Sequence, residues 1–309
     1  MPTLKEIKGR IASVKNTLKI TSAMKLVSSA KLRKAQNAIE ALRPYEEQLR
    51  RILSALPAAG AAPAGTDSGI LVPGDGKTGS SAAPRAIVAI ASNSSLCGGF
   101  NANAIAKVRS VRRTGDVVYS IGRKMADAMR ADGFPSPEDF SALSEHPAYA
   151  PAAALANRLA QDFADGRVSS VLLVYNHFVS TARQTPVTDP LLPVTATPVA
   201  PGTSSPVIPS ASSPVIPSAV EGSPAPSDYI LEPSARELLA VLLPKTLKLK
   251  LYAALLDSAA AEHAARTVAM QTATDNGNNL LEELTLQYNK GRQQKITNEI
   301  LDLAGGQQE

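Results

Sequence analysis

The chain has 309 residues, of which 44% are apolar and 4% aromatic, with no Trp. Its 32 Lys and Arg residues outnumber 27 Asp and Glu residues, for a formal net charge of +5, and the apolar content is enough for a packed core in one or two domains. The single cysteine, Cys97, excludes an intramolecular disulfide and favours a reducing compartment. No apolar run approaches the ~20 residues of a membrane-spanning helix, and charged residues interrupt any signal-peptide core at the start, so we expect a cytosolic chain.

The first predicted element is a helix over residues 3–56, about 80 Å long, with a kink or break near Arg43 because Pro44 follows. Apolar residues recur at steps of three and four and form one stripe suited to helix pairing: Leu4, Ile7, Ile11, Val14 and Leu18. Nine basic residues lie between Lys5 and Lys34, against Glu6 alone. Such a helix suits an acidic partner, whether nucleic acid, anionic membrane or protein, although a solvated polar face explains the charge equally well.

The middle of the chain reads as an α/β unit over residues 86–194, after a flexible Ala, Gly, Pro and Ser-rich loop at 57–85. Predicted strands cover 86–92, 116–122 and 168–180, and predicted helices cover 100–113, 123–133 and 151–166. Residues 182–194 are expected to continue as a paired extended segment. Strands that alternate with helices predict a mostly parallel sheet covered on both faces.

The last third begins with a low-complexity insert at 195–227, in which SSPVIPSA occurs twice. A segment so rich in Pro and Ser is predicted to be disordered and to take no part in the core. Residues 228–309 begin with a short segment at 228–233, called the foot segment, and continue as helical sequence. A break is predicted at Pro244, followed by about 90 Å of helix from Lys245. Gly277 and Gly291 are expected to weaken this helix by about 1 kcal/mol each.

The sequence contains no clear catalytic motif, and the chain does not resemble an enzyme on its own. GDGKT at 74–78 lacks the spacing of a phosphate-binding loop and has no strand before it. CGG at 97–99 follows a strand and could cradle a phosphate, although a tight turn is the favoured interpretation. The three histidines, His146, His177 and His263, stand singly without metal-ligand spacing, so structural or solvated roles are expected and no metal or other cofactor is predicted.

Several motifs nevertheless resemble one family, the γ subunit of the rotary ATP synthase. They are IKGRIASVKNTLKITSAMKLVSSAKLRKAQ at the start, then SLCGGFNAN, SIGRK and VYNHFVSTARQTPV in order, and AARTVAMQTATDNGNNLLEELTLQYNKGRQQKITNEILDLAGG at the end. The resemblance covers everything except 57–85 and 195–227. Asn93-Ser94-Ser95 departs from the Asp-Arg-Gly usual in the family, and Gln307 stands where Ala is usual.

The resemblance implies an antiparallel coiled coil of the two terminal helices with a Rossmann-like, mostly parallel α/β domain inserted between them. It implies a non-catalytic central-stalk rotor that couples rotation of a membrane c-ring to the three catalytic β subunits during ATP synthesis. The expected partners are α, β, ε and the ring, and the expected location is peripheral, on the cytoplasmic face of the bacterial inner membrane.

By the same resemblance, individual residues are expected to contact these partners. Contacts with the αβ head are expected from Lys19, Met24, Lys25, Arg266, Arg292, Gln293, Thr297 and Glu299, and contacts with the ring or ε from Tyr229 and Glu232. Met24 has a competing interpretation as packing within the coiled coil. Two other function classes stay open: a basic coiled coil that binds nucleic acid, and a small-molecule enzyme with only Cys97, Asn101 and Asn103 after its first strand.

Overall fold

The computed structural model describes residues 3–55, 83–193, 232 and 234–305. Two long helices, α1 (Leu4–Ala55) and α6 (Ala235–Gly305), stand at the two ends of the described sequence. Between them lie β1 (Ala86–Ile90), α2 (Phe100–Val111), β2 (Val117–Ile121), α3 (Arg123–Ala131), α4 (Ser141–Glu145), α5 (Tyr149–Ala164), β3 (Val171–Phe178) and β4 (Gln184–Leu192). The predictions for the GDGKT segment, the Pro/Ser insert, Tyr229 and Gln307 fall outside the described residues.

Helix α1 starts with a reciprocal cap. The Thr3 backbone N–H donates to the Glu6 carboxylate at 3.0 Å, and the Glu6 N–H donates to the Thr3 hydroxyl at 3.3 Å. This capping box satisfies two amides that a helix start otherwise leaves without partners. The helix then continues through Pro44 to Ala55, so a break near Arg43 does not occur.

Helix α6 is one element of 71 residues, about 105 Å long, and the predicted break at Pro244 is wrong. Proline removes one backbone donor, but the helix is held by packing on both sides of it. Leu243 before Pro244 and Leu247 and Leu251 after it are each at most 2% exposed, and the last two belong to the core of the α/β unit. Burial of this size outweighs a local cost of about 3 kcal/mol.

The two long helices pair antiparallel, as predicted. The Thr274 hydroxyl donates to the Thr21 hydroxyl at 3.0 Å, and further along the pair Leu32 packs with Ala260 and Ala264. Two glycines of α6 face leucines of α1, namely Gly277 opposite Leu18 and Gly291 opposite Leu4. These glycines, expected only to weaken the helix, leave room for the leucine side chains of the partner helix.

The Gly277 contact gives a first testable expectation. A Cβ at position 277 would lie 2.6 Å from Leu18 Cδ2, the end of a flexible side chain, so Gly277→Ala forces Leu18 aside at a cost of about 1 kcal/mol, the lower end of the range for overpacking. This cost offsets the gain of about 1 kcal/mol that alanine brings to a helix. Gly9 is the matched control in α1, because a Cβ there has nothing within 4 Å. Urea denaturation should show Gly9→Ala more stable than the parent chain and Gly277→Ala no more stable than it; equal gains would contradict the contact.

The sheet of the α/β unit has the strand order β2-β1-β3-β4. Strand β1 pairs parallel with β2 and with β3, and β4 pairs antiparallel with β3 at the edge. The predicted mostly parallel sheet and the predicted paired segment are therefore confirmed. Among the described helices and strands, only the short helix α4 was not anticipated.

Both faces of this sheet are covered. On one face α5 and α6 pack on the strands through Leu155, Leu159, Leu247, Leu251 and Leu255, all at most 3% exposed. On the other face α2 and α3 pack through Ala104, Val108, Met125 and Met129, all fully buried. Helix α6 thus belongs to two structures at once, since it pairs with α1 and completes the core of the α/β unit.

Candidate functional site

The end of α6 forms a projecting single helix. Because Gly291 lies opposite Leu4, residues 293–305 extend about 20 Å beyond the start of α1. The predicted contact residues Arg292, Gln293, Thr297 and Glu299 all lie on this end and are exposed. The Thr297 hydroxyl donates to the Gln293 carbonyl at 2.9 Å, and Lys295 Nζ lies 3.5 Å from Glu299 Oε1, which are contacts within the helix itself.

Apolar side chains share this projecting end and were not predicted from the sequence as contact residues. Ile296 is 48% exposed, Ile300 59% and Leu301 63%. Such exposure on a helix with no described partner marks a surface suited to protein contact. The signal was present in the sequence, because Ile296 and Ile300 lie four positions apart and therefore share one side of the helix.

Three further predicted contact residues lie on α1. Lys19 is exposed, whereas Met24 and Lys25 are half-buried. All three lie near the layer in which Thr21 bonds Thr274, with Ser28 buried in the following turn. Partial burial of Met24 is compatible with both interpretations of it, so its role as an outward contact stays a prediction.

Arg266 does not join the other predicted residues. It lies 26 positions before Arg292 in the same helix, about 39 Å away, and is only 8% exposed. Its guanidinium donates to Glu262 Oε1 at 2.6 Å and to the Ser94 hydroxyl at 2.8 Å. Burial raises the pKa of Glu262, although the charges of Arg266 and Lys31 lower it. Arg266 therefore ties α6 to the loop that follows β1.

That loop is itself braced by side chains. The Ser92 hydroxyl donates to the Ser94 carbonyl at 2.6 Å, and the Asn101 amide donates to the same carbonyl at 3.2 Å and to Cys97 Sγ at 3.2 Å. Leu96 has a φ of 67°, which a leucine rarely adopts. Two of the three residues in place of the usual family triplet, Asn93 and Ser94, are thus engaged within the chain.

The CGG turn adjoins a cavity of about 180 Å³ between the sheet and α6. Gly98 and Gly99 line one side of it, and Ala265, Val268 and Ala269 of α6 line the other. Gly98 has a φ of 58°, as the tight-turn interpretation requires. This crevice beyond the strand ends is where doubly wound sheets bind ligands, and here α6 of the same chain forms one of its walls.

The remaining candidates are dispersed. Glu232 is exposed, and it stands apart from the other described residues that were expected to contact partners. His263 Nδ1 is buried without a hydrogen bond from the described residues, and burial lowers the pKa of His263 to about 4. Within the described ranges no group of three His, Cys, Asp or Glu residues is placed to hold a metal, and no helix is long and apolar enough to cross a bilayer.

Comparisons of the sequence and of the fold with known proteins agree with one another. A sequence model of the ATP synthase family matches residues 3–308. The chain is 45% identical to the ATP synthase gamma chain of Phocaeicola vulgatus and 42% identical to that of Bacteroides thetaiotaomicron, in each case over 99% of both chains. Its fold resembles a chain of the rotor of the Euglena gracilis mitochondrial ATP synthase, with a TM-score of 0.62 at 18% identity, over 95% of this chain and 98% of the other.

Proposed function

The chain belongs to the ATP synthase family as a gamma chain, and we propose that it is the non-catalytic central rotor of that complex. The observation that carries the proposal is the antiparallel pairing of its two terminal helices, which leaves the end of α6 projecting alone and uncovered. A rod of two helices that ends in one helix is asymmetric about its long axis. An asymmetric rod can contact surrounding subunits differently in each rotational position.

Coupling follows from these differential contacts. A rotor can bias a catalytic subunit toward one conformation only if it interacts more favourably with that conformation than with the others. Proton-driven rotation of the ring would move the contacts from one β subunit to the next, so that each site binds ADP and phosphate, forms ATP and releases it in turn. The chain itself supplies no catalytic group to these steps.

We assign the contacts with the αβ head to two sets. The first is the projecting end of α6, where Arg292, Gln293, Thr297 and Glu299 offer polar contacts beside exposed Ile300. The second is on α1, where Lys19 and Lys25 suit acidic loops and Met24 suits the contact between shaft and head. Exposed ion pairs contribute only about 0–1 kcal/mol each, so they can form and break as the rotor turns.

Arg292→Ala is expected to lower ATP hydrolysis by the assembled head several-fold, because Arg forks two hydrogen bonds onto a carboxylate and Ala makes none. Helix content should not fall, since Arg292 is exposed and Ala is the stronger helix former. Lys290→Ala is the matched control, an exposed cation two residues earlier in the same helix. Turnover and circular dichroism of both variants measure the effect, and unchanged turnover in intact Arg292→Ala complexes would remove Arg292 from the contact set.

We assign the segment just before α6, which is at the other end of that helix from Arg292, to the membrane side of the complex. Tyr229 and Glu232 are the proposed contacts with the ring and ε, and the proposed location is peripheral, on the cytoplasmic face of the bacterial inner membrane. The chain would then divide into shaft helices at 1–56 and, with the foot segment, at 228–309, an α/β domain at 86–194, and two accessory segments at 57–85 and 195–227.

Affinity purification tests the proposed function directly. A tagged chain expressed in its own bacterium should recover the α, β and ε subunits from membrane extracts, together with ATP hydrolysis. Recovery should survive nuclease treatment, which removes any nucleic acid that bridges the proteins. Recovery of nucleic acid alone, with binding that falls steeply as salt rises, would instead favour the basic coiled coil as a nucleic-acid-binding protein.

A further inference from the structure

One carboxylate holds the end of β3 on the long helix. Asp257, on α6, accepts a hydrogen bond from the Phe178 backbone N–H at 3.0 Å through Oδ1. Its other oxygen, Oδ2, lies 2.5 Å from His177 Nδ1. The Phe178 ring packs beside Ala260 and Ala264, about one and two turns further along α6. Two neighbouring residues of β3 are therefore fixed by the same acidic side chain.

The electrostatic surroundings of this contact come from three elements. Asp257 faces His177 from α6, Asp189 adds a second negative charge from β4, and Arg43 adds a positive charge from α1. Asp189 is itself held by the Tyr175 hydroxyl, which donates to it at 2.8 Å. The hydrogen bond to Asp257 is the largest cause that raises the pKa of His177, burial and Arg43 act against it, and the net direction is upward.

We propose that His177 and Asp257 form a proton-dependent clamp, defined by these two residues, that fixes the end of β3 and with it the α/β unit on α6. With His177 protonated, the clamp is an ion pair in which His177 Nδ1–H donates a hydrogen bond to Asp257 Oδ2. With His177 neutral, the ion pair is lost and only the Phe178 amide and a weaker hydrogen bond remain. Asp257 is a positioning residue in this arrangement, since it acts on the α/β unit through β3.

The direction of the pH effect follows from the raised pKa of His177. A histidine that titrates higher in the folded chain stabilises the fold fully below its unfolded pKa of about 6.5, and this contribution is lost as pH rises through the folded value. The α/β unit should stay attached at high pH, because Arg266 still holds Ser94 and the apolar core is unaffected. Its β3 end should be held less firmly.

Proton NMR of the purified full-length chain tests the clamp at its own atoms. The chain has three histidines, so a pH titration gives three ring signals, which His146→Gln and His177→Gln assign. The His177 signal should titrate above the ordinary histidine range in the parent chain and should shift downward in Asp257→Asn. His146, which is exposed on the α/β unit, is the internal control. An ordinary His177 pKa in the parent chain, or no downward shift in Asp257→Asn, would overturn the proposal.

Hydrogen exchange at the Phe178 amide supplies an independent measurement. In the parent chain, its protection factor should fall as pH rises through the His177 pKa, and Asp257→Asn should reduce protection about tenfold at neutral pH. His177→Lys carries a fixed positive charge, so protection in that variant should not follow the histidine titration. Protection that is the same in all three chains at every pH would show that the pair does not hold β3.

A consequence for coupling rests on the proposed function. In the assembled complex, ATP-driven proton pumping by the parent chain should lose efficiency toward alkaline pH more than pumping by His177→Lys. The NMR and exchange measurements use the chain alone. Failure of the clamp is therefore distinguishable from failure of the rotor assignment.

Discussion

Gly122→Ala is expected to destabilise the chain by roughly 3–5 kcal/mol, through overpacking against backbone and an unfavourable φ together. Gly122 directly follows β2 with a φ of 98°, and a Cβ there would lie 2.1 Å from the Ala91 carbonyl oxygen. That carbonyl cannot withdraw easily. It accepts the Ser144 hydroxyl at 2.7 Å, and the Ala91 N–H donates to Ile121 at 2.9 Å.

Gly115→Ala is the matched control for Gly122→Ala. Gly115 has a similar φ of 93°, but nothing lies within 4 Å of a Cβ built there. This variant should therefore show the conformational penalty alone, about 1–2 kcal/mol. Urea denaturation of both chains measures the difference. Equal losses of stability would show that the Ala91 backbone gives way and that the close approach does not matter.

Arg266→Ala is expected to cost about 3–5 kcal/mol of unfolding free energy, because it leaves Glu262 buried without its partner. The pKa of Glu262, already raised by burial, should rise further once the Arg266 charge is gone. A carboxyl with a raised pKa in the folded state binds more protons folded than unfolded. Stability of Arg266→Ala should therefore fall more steeply than that of the parent as pH rises above about 4.5.

A double variant separates the lost partner from the lost contact. Arg266→Met combined with Glu262→Leu fills a similar volume without a buried charge and should recover most of the stability, because apolar residues often replace buried ion pairs without loss. Arg130→Ala is the control for an exposed pair, since Arg130 and Asp127 are more than half exposed, and it should change stability by less than about 0.5 kcal/mol. A double variant as unstable as Arg266→Ala would assign the cost to the Ser94 contact instead.

Local sequence pattern was sufficient for most of the fold. Strands β1, β2 and β3 and the long helices follow from apolar periodicity, which reports the faces that each element buries. The helix breaks predicted near Pro44 and at Pro244 were wrong for a physical reason. A proline in the sequence indicates a local free-energy cost to the helix. The continuity of α6 across Pro244 depends instead on leucines that pack against a sheet more than fifty residues earlier in the chain.

The candidate site was predictable only where it is made of exposed residues. Arg292 and Glu299 are exposed on the projecting end, as the contacts expected from the resemblance require, and those contacts stay a prediction. Arg266 carries the same chemistry, but its partner Ser94 is 172 positions away, and no local pattern records that pairing. The clamp of His177 and Asp257 was missed for the same reason, because its two residues are 80 positions apart.

The pairing of Leu4 with Gly291 also fixes the order in which the protein can be built. Nearly the whole chain must be synthesised before the partner of the first helical turn exists, and at 5–20 residues per second this takes roughly 15–60 s. The three parallel strands of the α/β unit, β1 to β3, close within about ninety residues and can assemble earlier, although part of their cover comes later from α6. Throughout that interval α1 carries its apolar stripe without its partner helix. Nascent chains of this protein should therefore depend on chaperones until the last residues leave the ribosome.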